Sequence, residues 1–285
     1  MRAEVDYFAN MRPRKERVTR LDSCQYLLVS PINYTLTNYA EHTEKFSHDM
    51  ANRYLAGDVI RPRLVWENVR AQIILTPSGL VVFDDTVIDK NSSRRRELVR
   101  SQYSGNTHSI IKGIGVVTCV YVNPHLNQFW VIDYRIYDPN GDGKTKLDPV
   151  QDRLQNGVYQ KCLPMRAVVM DTWYATKGMM LQIEKFEKIY YCPLKSNRPV
   201  DDSGGAKPYQ RVDGLAWTKT EPEHGKTIKI KGFPAKHPVK LFRVVLSTQR
   251  TDYVVTNERV QNHVAYQKGV AFAGKSSNFT VKPSS

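Results

Sequence analysis

Short apolar runs rich in β-branched and aromatic residues alternate with turn residues along the chain, and two of the runs end in acid. Leu80-Val81-Val82-Phe83 follows the turn Pro77-Ser78-Gly79 and leads straight into Asp84-Asp85-Thr86, which predicts a buried strand carrying carboxylates at its end. The pattern returns downstream, where Ala167-Val168-Val169-Met170 leads into Asp171-Thr172-Trp173. Between the two, Ile110–Val122 and Phe129–Tyr137 are long β-rich runs joined by Asn123-Pro124, so residues 80–86, 110–122 and 129–137 are expected to form an antiparallel meander. Helical spacing takes over at Leu147–Val158 and again at Thr176–Lys188. The first helix feeds the strand that ends at Asp171, and the second feeds Ile189-Tyr190-Tyr191-Cys192. Three antiparallel strands followed by helix, strand, helix, strand predict an α/β fold with a mixed sheet.

The flanks read differently. Thr37–His42 and Asp49–Leu55 predict two short helices, the second capped by Ser47 and closed by Gly57, and a third amphipathic helix is expected from Leu64 to Ile74. The first two suit either an ordinary helical hairpin or a helix-turn-helix in which His48, Asn52 and Arg53 would face a groove. Beyond the core pattern, Asp201-Asp202-Ser203-Gly204-Gly205 breaks the chain and Thr227–Lys231 alternates like a strand half facing solvent. The expected organisation is a helical region at 1–75, a core at 76–196, a lysine-bearing β insertion at 197–238, final core strands at 239–258 and an irregular, frayed tail at 259–285.

Charge narrows the partner. Lys and Arg number 42 against 28 Asp and Glu, a net +14 over 285 residues, which favours a polyanion such as nucleic acid over an unspecialised basic surface. Basic residues cluster at Arg12, Arg14, Lys15, Arg17 and Arg20, and again at Arg94, Arg95, Arg96 and Arg100. Each cluster suits phosphate contact or a solvated face. The four cysteines show no metal-ligand spacing and read as small residues in a reducing compartment. With no signal peptide and no apolar run long enough to span a bilayer, a soluble cytoplasmic protein without a membrane partner is expected. Asp138-Pro139-Asn140-Gly141-Asp142-Gly143 imitates half of a calcium loop, but Pro149 stands where the bidentate Glu belongs, so an Asx-type turn accounts for it better.

Carboxylates delivered by separate strands suit a shared divalent cation, because hard oxygen donors hold Mg²⁺ or Mn²⁺ at a site for phosphoryl transfer. Asp84 and Asp171 are the candidates, with Asp85 competing for the first role because strand alternation sends only one of the pair toward the site. Five ordered segments, Phe83-Asp84-Asp85-Thr86-Val87-Ile88-Asp89-Lys90, Arg100-Ser101-Gln102-Tyr103-Ser104-Gly105-Asn106, Asp142-Gly143-Lys144-Thr145-Lys146, Asp171-Thr172-Trp173-Tyr174 and Leu194-Lys195-Ser196-Asn197-Arg198, together resemble a bacterial insertion-sequence transposase of the DDE class. The resemblance covers about residues 15–257. It implies an RNase H-like core, a β insertion before the last acidic residue, a Mg²⁺ or Mn²⁺ cofactor, and cut-and-paste transposition on double-stranded DNA. Carried onto this sequence, the metal-binding and catalytic aspartates fall on Asp84 and Asp171. Arg94, Arg95, Arg96, Arg100, Lys195 and Arg198 are the candidate DNA contacts. Trp173 and Tyr174 are expected in the core rather than stacked on bases.

One feature of the family pattern is missing. The third acid should lie in a Tyr/Arg/Glu/Lys-spaced helix beyond Asn257, yet the chain offers only Glu258 without that spacing. The expectation is a C-terminally truncated transposase, acting as a homodimer or with a full-length relative, or else an inactive remnant that still binds DNA. A basic RNA-binding module is a third reading, disfavoured because no aromatic RNP-like strand is present.

Overall fold

The computed structural model describes residues 17–29, 35–43, 45–57, 61–90, 97–104, 107, 109–138, 141, 147–247 and 250–258. These fall into two compact units, one within 1–61 and one within 62–281. The irregular tail, the Arg12–Lys15 cluster, Arg94-Arg95-Arg96 and the whole Asp142–Lys146 segment lie outside the described residues.

The first unit contains α1 (Arg20–Val29), α2 (Leu36–His42) and α3 (His48–Gly57). Thr35 caps α2 by accepting from the Asn38 amide at 3.2 Å, and Ser47 accepts from the Met50 amide at 3.3 Å at the start of α3. A small core of Val18, Tyr39, Phe46 and Ala51 holds the unit, with Tyr26 edge-on to Tyr39 at 4.8 Å.

The second unit is built on one large mixed sheet with the order β2-β3-β1-β5-β6-β11-β10-β9-β7-β8, and β4 also paired to β3. β1 (Leu80–Asp89), β3 (Ser109–Asn123) and β4 (Gln128–Ile136) form the expected antiparallel meander. A strand not anticipated from the sequence, β2 (Arg100–Ser104), pairs with the first half of β3. Its five polar and basic positions hid it, because an edge strand needs few apolar residues. β5 (Ala167–Met170) runs parallel to β1, and β6 (Ile189–Leu194) runs parallel to β5. The crossovers carry α5 (Leu147–Tyr159) and α6 (Lys177–Lys185). An antiparallel three-strand meander joined to two parallel strands through helical crossovers, in the order β4-β3-β1-β5-β6, is the RNase H-like arrangement.

The sheet then continues antiparallel through β11 (Arg250–Thr256), β10 (Pro238–Ser247), β9 (Lys226–Ile230), β7 (Pro199–Asp201) and β8 (Gln210–Arg211). The strands of the lysine-bearing segment thus extend the same sheet. A short helix, α7 (Glu221–His224), precedes β9. At the other end of the unit, α4 (Pro62–Val69) opens with proline and lays Trp66 and Val69 against the main core.

Alternation sorts the core strands into two faces. Val81, Phe83, Val168 and Met170 join the main core, which α5 covers with Val150 and Leu154 and α6 with Met179, Met180 and Ile183. Leu80, Val82, Ala167 and Val169 belong to a second cluster with Tyr191, Phe242 and Val254. α6 starts at the cap Thr176, which accepts from the Met179 amide at 3.3 Å, and its end is marked by Glu187 at φ 57. Asp133, buried on β4, is neutralised by Arg153 and Lys161 at 3.1 Å each, so it ties α5 to the sheet and leaves no carboxylate for other work.

Candidate active site

Two neighbouring parallel strands set the geometry. Phe83 pairs with Met170, so the next step of the register places Asp84 beside Asp171 on strands about 4.8 Å apart. By alternation Asp84 follows Leu80 and Val82 on the face of the second cluster, while Asp171 stands one residue past the end of β5, in the turn that follows it. Asp85 follows Val81 and Phe83 and takes the opposite, helix-covered face. Asp84 is thus level with Asp171 across the two strands, and the charges of both Asp85 and Asp171 act on it.

The electrostatics agree with that geometry. Burial pushes the Asp84 carboxyl up to about 7, with further upward pushes from the charges of Asp85 and then Asp171. Asp171 is partly tied down, since its Oδ1 accepts the Trp173 amide while the Tyr174 amide donates to its backbone carbonyl at 3.1 Å. This turn reverses the outward and inward order of the next two side chains. Tyr174 enters the core at 1% exposure, but Trp173 is thrown out to 62%, which corrects the expectation that both pack inside. Tyr174 keeps its hydroxyl buried and without a hydrogen-bond partner, and burial followed by the charges of Asp85, Asp171 and Asp84 pushes that phenol upward. Thr86, on the same face of β1 as Asp84, also buries an unpartnered hydroxyl.

A divalent cation fits this donor set. A carboxyl whose proton is held by burial and by the charges of its neighbours gains from a shared positive charge, and two carboxyl groups with unpartnered hydroxyls nearby suit an ion that keeps several of its waters. Among the described residues no group of three or more His, Cys, Asp or Glu gathers in metal-binding geometry. Glu258 does not supply the third. It pairs with Arg166 and accepts the Tyr191 hydroxyl, with its side chain 7% exposed. Its neighbour Asn257 bridges the Tyr190 amide and the Lys188 carbonyl at the start of β6, the end of the parallel strands remote from Asp84 and Asp171.

The candidate DNA contacts separate. Lys195 and Arg198, on the loop after β6, line a cleft of about 380 Å³ together with Thr172 and Trp173 from the turn after β5 and Lys177 at the start of α6. Lys195 Nζ sits 5.0 Å from the centre of the Trp173 ring. Arg100 does not join them. It lies on β2 opposite Gly113, which in turn faces Asp89, five residues past Asp84 on β1, and its guanidinium is 3.8 Å from Asp138. Arg94, Arg95 and Arg96 lie outside the described residues. Sequence reading did not single out Lys177, the orphaned Thr86 hydroxyl or the exposure of Trp173. A signal for the last existed in the Asp-Thr-Trp order, since an Asx turn after a strand end resets which side chain faces in.

No helix among the described residues is long and apolar enough to cross a membrane. No family model and no curated protein sequence matches the chain. Among solved structures, the chain is similar to the piggyBac transposase in a synaptic complex with hairpin DNA, at 12% identity and a TM-score of 0.48 over 90% of this chain and 55% of that one. It is also similar to the Drosophila P element transposase in a strand transfer complex, at 13% identity and a TM-score of 0.34 over 60% of this chain and 37% of that one. A third similarity is to Ciona intestinalis endonuclease V bound to an inosine-containing DNA, at 12% identity and a TM-score of 0.37 over 77% and 96%. The chain thus spans about half the length of the piggyBac transposase it resembles and a little over a third of the P element enzyme.

Proposed function

We propose that this chain is a DDE-class transposase by descent, whose role is metal-dependent cleavage and transfer of DNA strands at the ends of an insertion sequence. The observation that carries the reading is the adjacency of Asp84 and Asp171 on parallel strands, with the Asp84 carboxyl held up near 7 by burial and neighbouring charge.

Asp84 and Asp171 would hold Mg²⁺ or Mn²⁺, which when bound lowers the proton affinity of water and offsets charge on a phosphodiester. Asp85, on the other face, adds negative charge that favours cation binding without sharing the ligand position. Lys195 and Arg198 would take the DNA backbone next to the carboxylates, so that cationic side chains orient the phosphate and the acidic pair faces it. The net charge of +14 supports a double-stranded DNA partner. Purified protein with Mn²⁺ and its own element ends should nick DNA, and Asp84→Asn should abolish nicking. Nicking that survives the substitution would remove the assignment.

A second reading rests on Glu258. Its engagement with Arg166 and Tyr191 favours a remnant that binds DNA without cutting it. That protein would show DNA affinity falling steeply with salt and no cleavage with Mg²⁺, Mn²⁺ or Co²⁺.

A further inference from the structure

We propose that the cleft beside Asp171 is a subsite for one unpaired nucleotide of DNA, with its base on Trp173 and its phosphate on Arg198 and Lys177. Its place next to the reacting phosphodiester rests on the transposase reading, but the binding itself does not.

Four observations converge. The first is the lining. One wall is the turn from β5 into α6 and the other the loop from β6 into β7, and together they bring Lys177, Lys195 and Arg198 to one cavity. None of the three pairs with a carboxylate among the described residues. The second is the state of Arg198, whose Nε is shut off from water and has no hydrogen-bond partner. A guanidinium N–H that has lost its water and gained nothing leaves free energy to be recovered from an anion. Its backbone is fixed, the amide donating to Lys195 O at 2.9 Å and the carbonyl accepting from Val212 at 3.1 Å, so the side chain starts from a set position.

The third is Trp173. An indole at 62% exposure, held on a turn pinned by Asp171 and flanked by the Lys195 ammonium at 5.0 Å, is ordered yet uncovered. Such a ring is a stacking platform, because every base offers a π-face and the adjacent cation strengthens the contact with the strand. The fourth is size. About 380 Å³ sits at the low end of the range for small-molecule pockets, roughly 300–1,000 Å³. That is room for one nucleotide. A base inside a duplex also has both faces covered by its neighbours, so only an unpaired one can use the indole.

The test uses the full chain carrying Asp84→Asn, so that binding is read without cleavage, and a DNA oligonucleotide with a 2-aminopurine. The probe is placed either in a single-stranded overhang or within a fully paired duplex. The overhang probe should be quenched on binding and the paired probe should not. Adding Trp173→Ala should remove the quench and weaken overhang binding about 5- to 150-fold, with Trp173→Phe retaining most of it. Arg198→Gln should weaken binding at every sequence and reduce the salt slope by about one. Trp173 is exposed, so its replacement leaves the core intact, and a thermal melt checks this. Equal affinity of the Trp173→Ala, Arg198→Gln and parent proteins for the overhang would overturn the subsite, as would equal quenching of the paired probe. Quenching by a protein whose wild type never cuts DNA would sustain the subsite and remove the transposase reading. Cutting without quenching would do the reverse.

Discussion

Replacing Asp84 by Asn should make the metal-free protein more stable at alkaline pH than the wild type. Burial and the charges of Asp85 and Asp171 raise the Asp84 carboxyl from 3.8 to about 7. A carboxyl that holds its proton more tightly in the folded chain than in the unfolded one contributes stability that is complete below the unfolded value. That contribution is lost as pH rises through the folded value. From about pH 5 to about pH 7 the folded chain still holds a proton that the unfolded chain has already lost. At about 1.36 kcal/mol per unit, the loss is roughly 2–3 kcal/mol. Asparagine has the same shape and never ionises, so the variant escapes this penalty while sharing every other titrating group.

The assay is urea unfolding of both proteins at pH 5 and pH 8 in chelator, taking the difference between them at each pH. That difference should move by roughly 2–3 kcal/mol in favour of Asp84→Asn at pH 8. Mn²⁺ should stabilise the wild type at pH 8 and leave the variant almost unmoved, because a ligand that binds only the folded state stabilises it by mass action. A wild-type-minus-variant difference that stays flat between the two pH values would refute the reasoning, since it would mean that Asp84 is not desolvated among like charges.

Three further outcomes follow from the same neighbourhood. Asp171→Asn removes one of the charges acting on Asp84, so the Asp84 carboxyl should titrate below its wild-type value when followed by ¹³C NMR. Tyr174→Phe deletes a buried hydroxyl that has no partner, so the melting temperature should hold or rise, by up to about 1 kcal/mol of stability, where the same change at a bonded tyrosine would lower it. Glu258→Gln weakens the contact with partly exposed Arg166 and should cost roughly 1–3 kcal/mol in chemical denaturation while Mn²⁺ affinity measured by calorimetry is unchanged.

The order of core elements was legible because each has a strong periodic signal. Leu80–Phe83 and Ala167–Met170 are apolar at every position, as strands buried on both faces must be, and the helices α5 and α6 carry apolar residues at helical spacing. β2 was not legible, because an edge strand such as Arg100–Ser104 can be polar throughout. Helix ends were set by local backbone events, as at Glu187, that leave no trace in hydrophobic pattern. Of the site, the aspartates were visible as residues. That Asp84 stands level with Asp171 needed the register, and the exposure of Trp173 needed the turn.

Strand direction also decides where a third metal ligand can come from. β11 runs antiparallel to β6, so the chain leaves it beside the start of β6, level with Arg166, whereas Asp171 lies five residues further along β5. At about 3.3 Å per residue that is roughly 16 Å, too far for the Glu258 side chain. On the proposed reading, with Glu258 out of reach, a cation on Asp84 and Asp171 would complete its shell with water and with oxygen from the DNA, as Mg²⁺ commonly does on one or two carboxylates plus substrate phosphate. Such an ion binds weakly alone and more tightly once the phosphodiester is present, and by linkage the DNA gains the same factor from the ion. Mn²⁺ titrated into the wild type should therefore show at least about a fivefold gain in affinity when saturating DNA is present, a coupling of roughly 1 kcal/mol or more, and Asp171→Asn should erase it. Equal Mn²⁺ affinity with and without DNA would mean that the ion already has a complete set of protein ligands, and a third acidic group would have to be found.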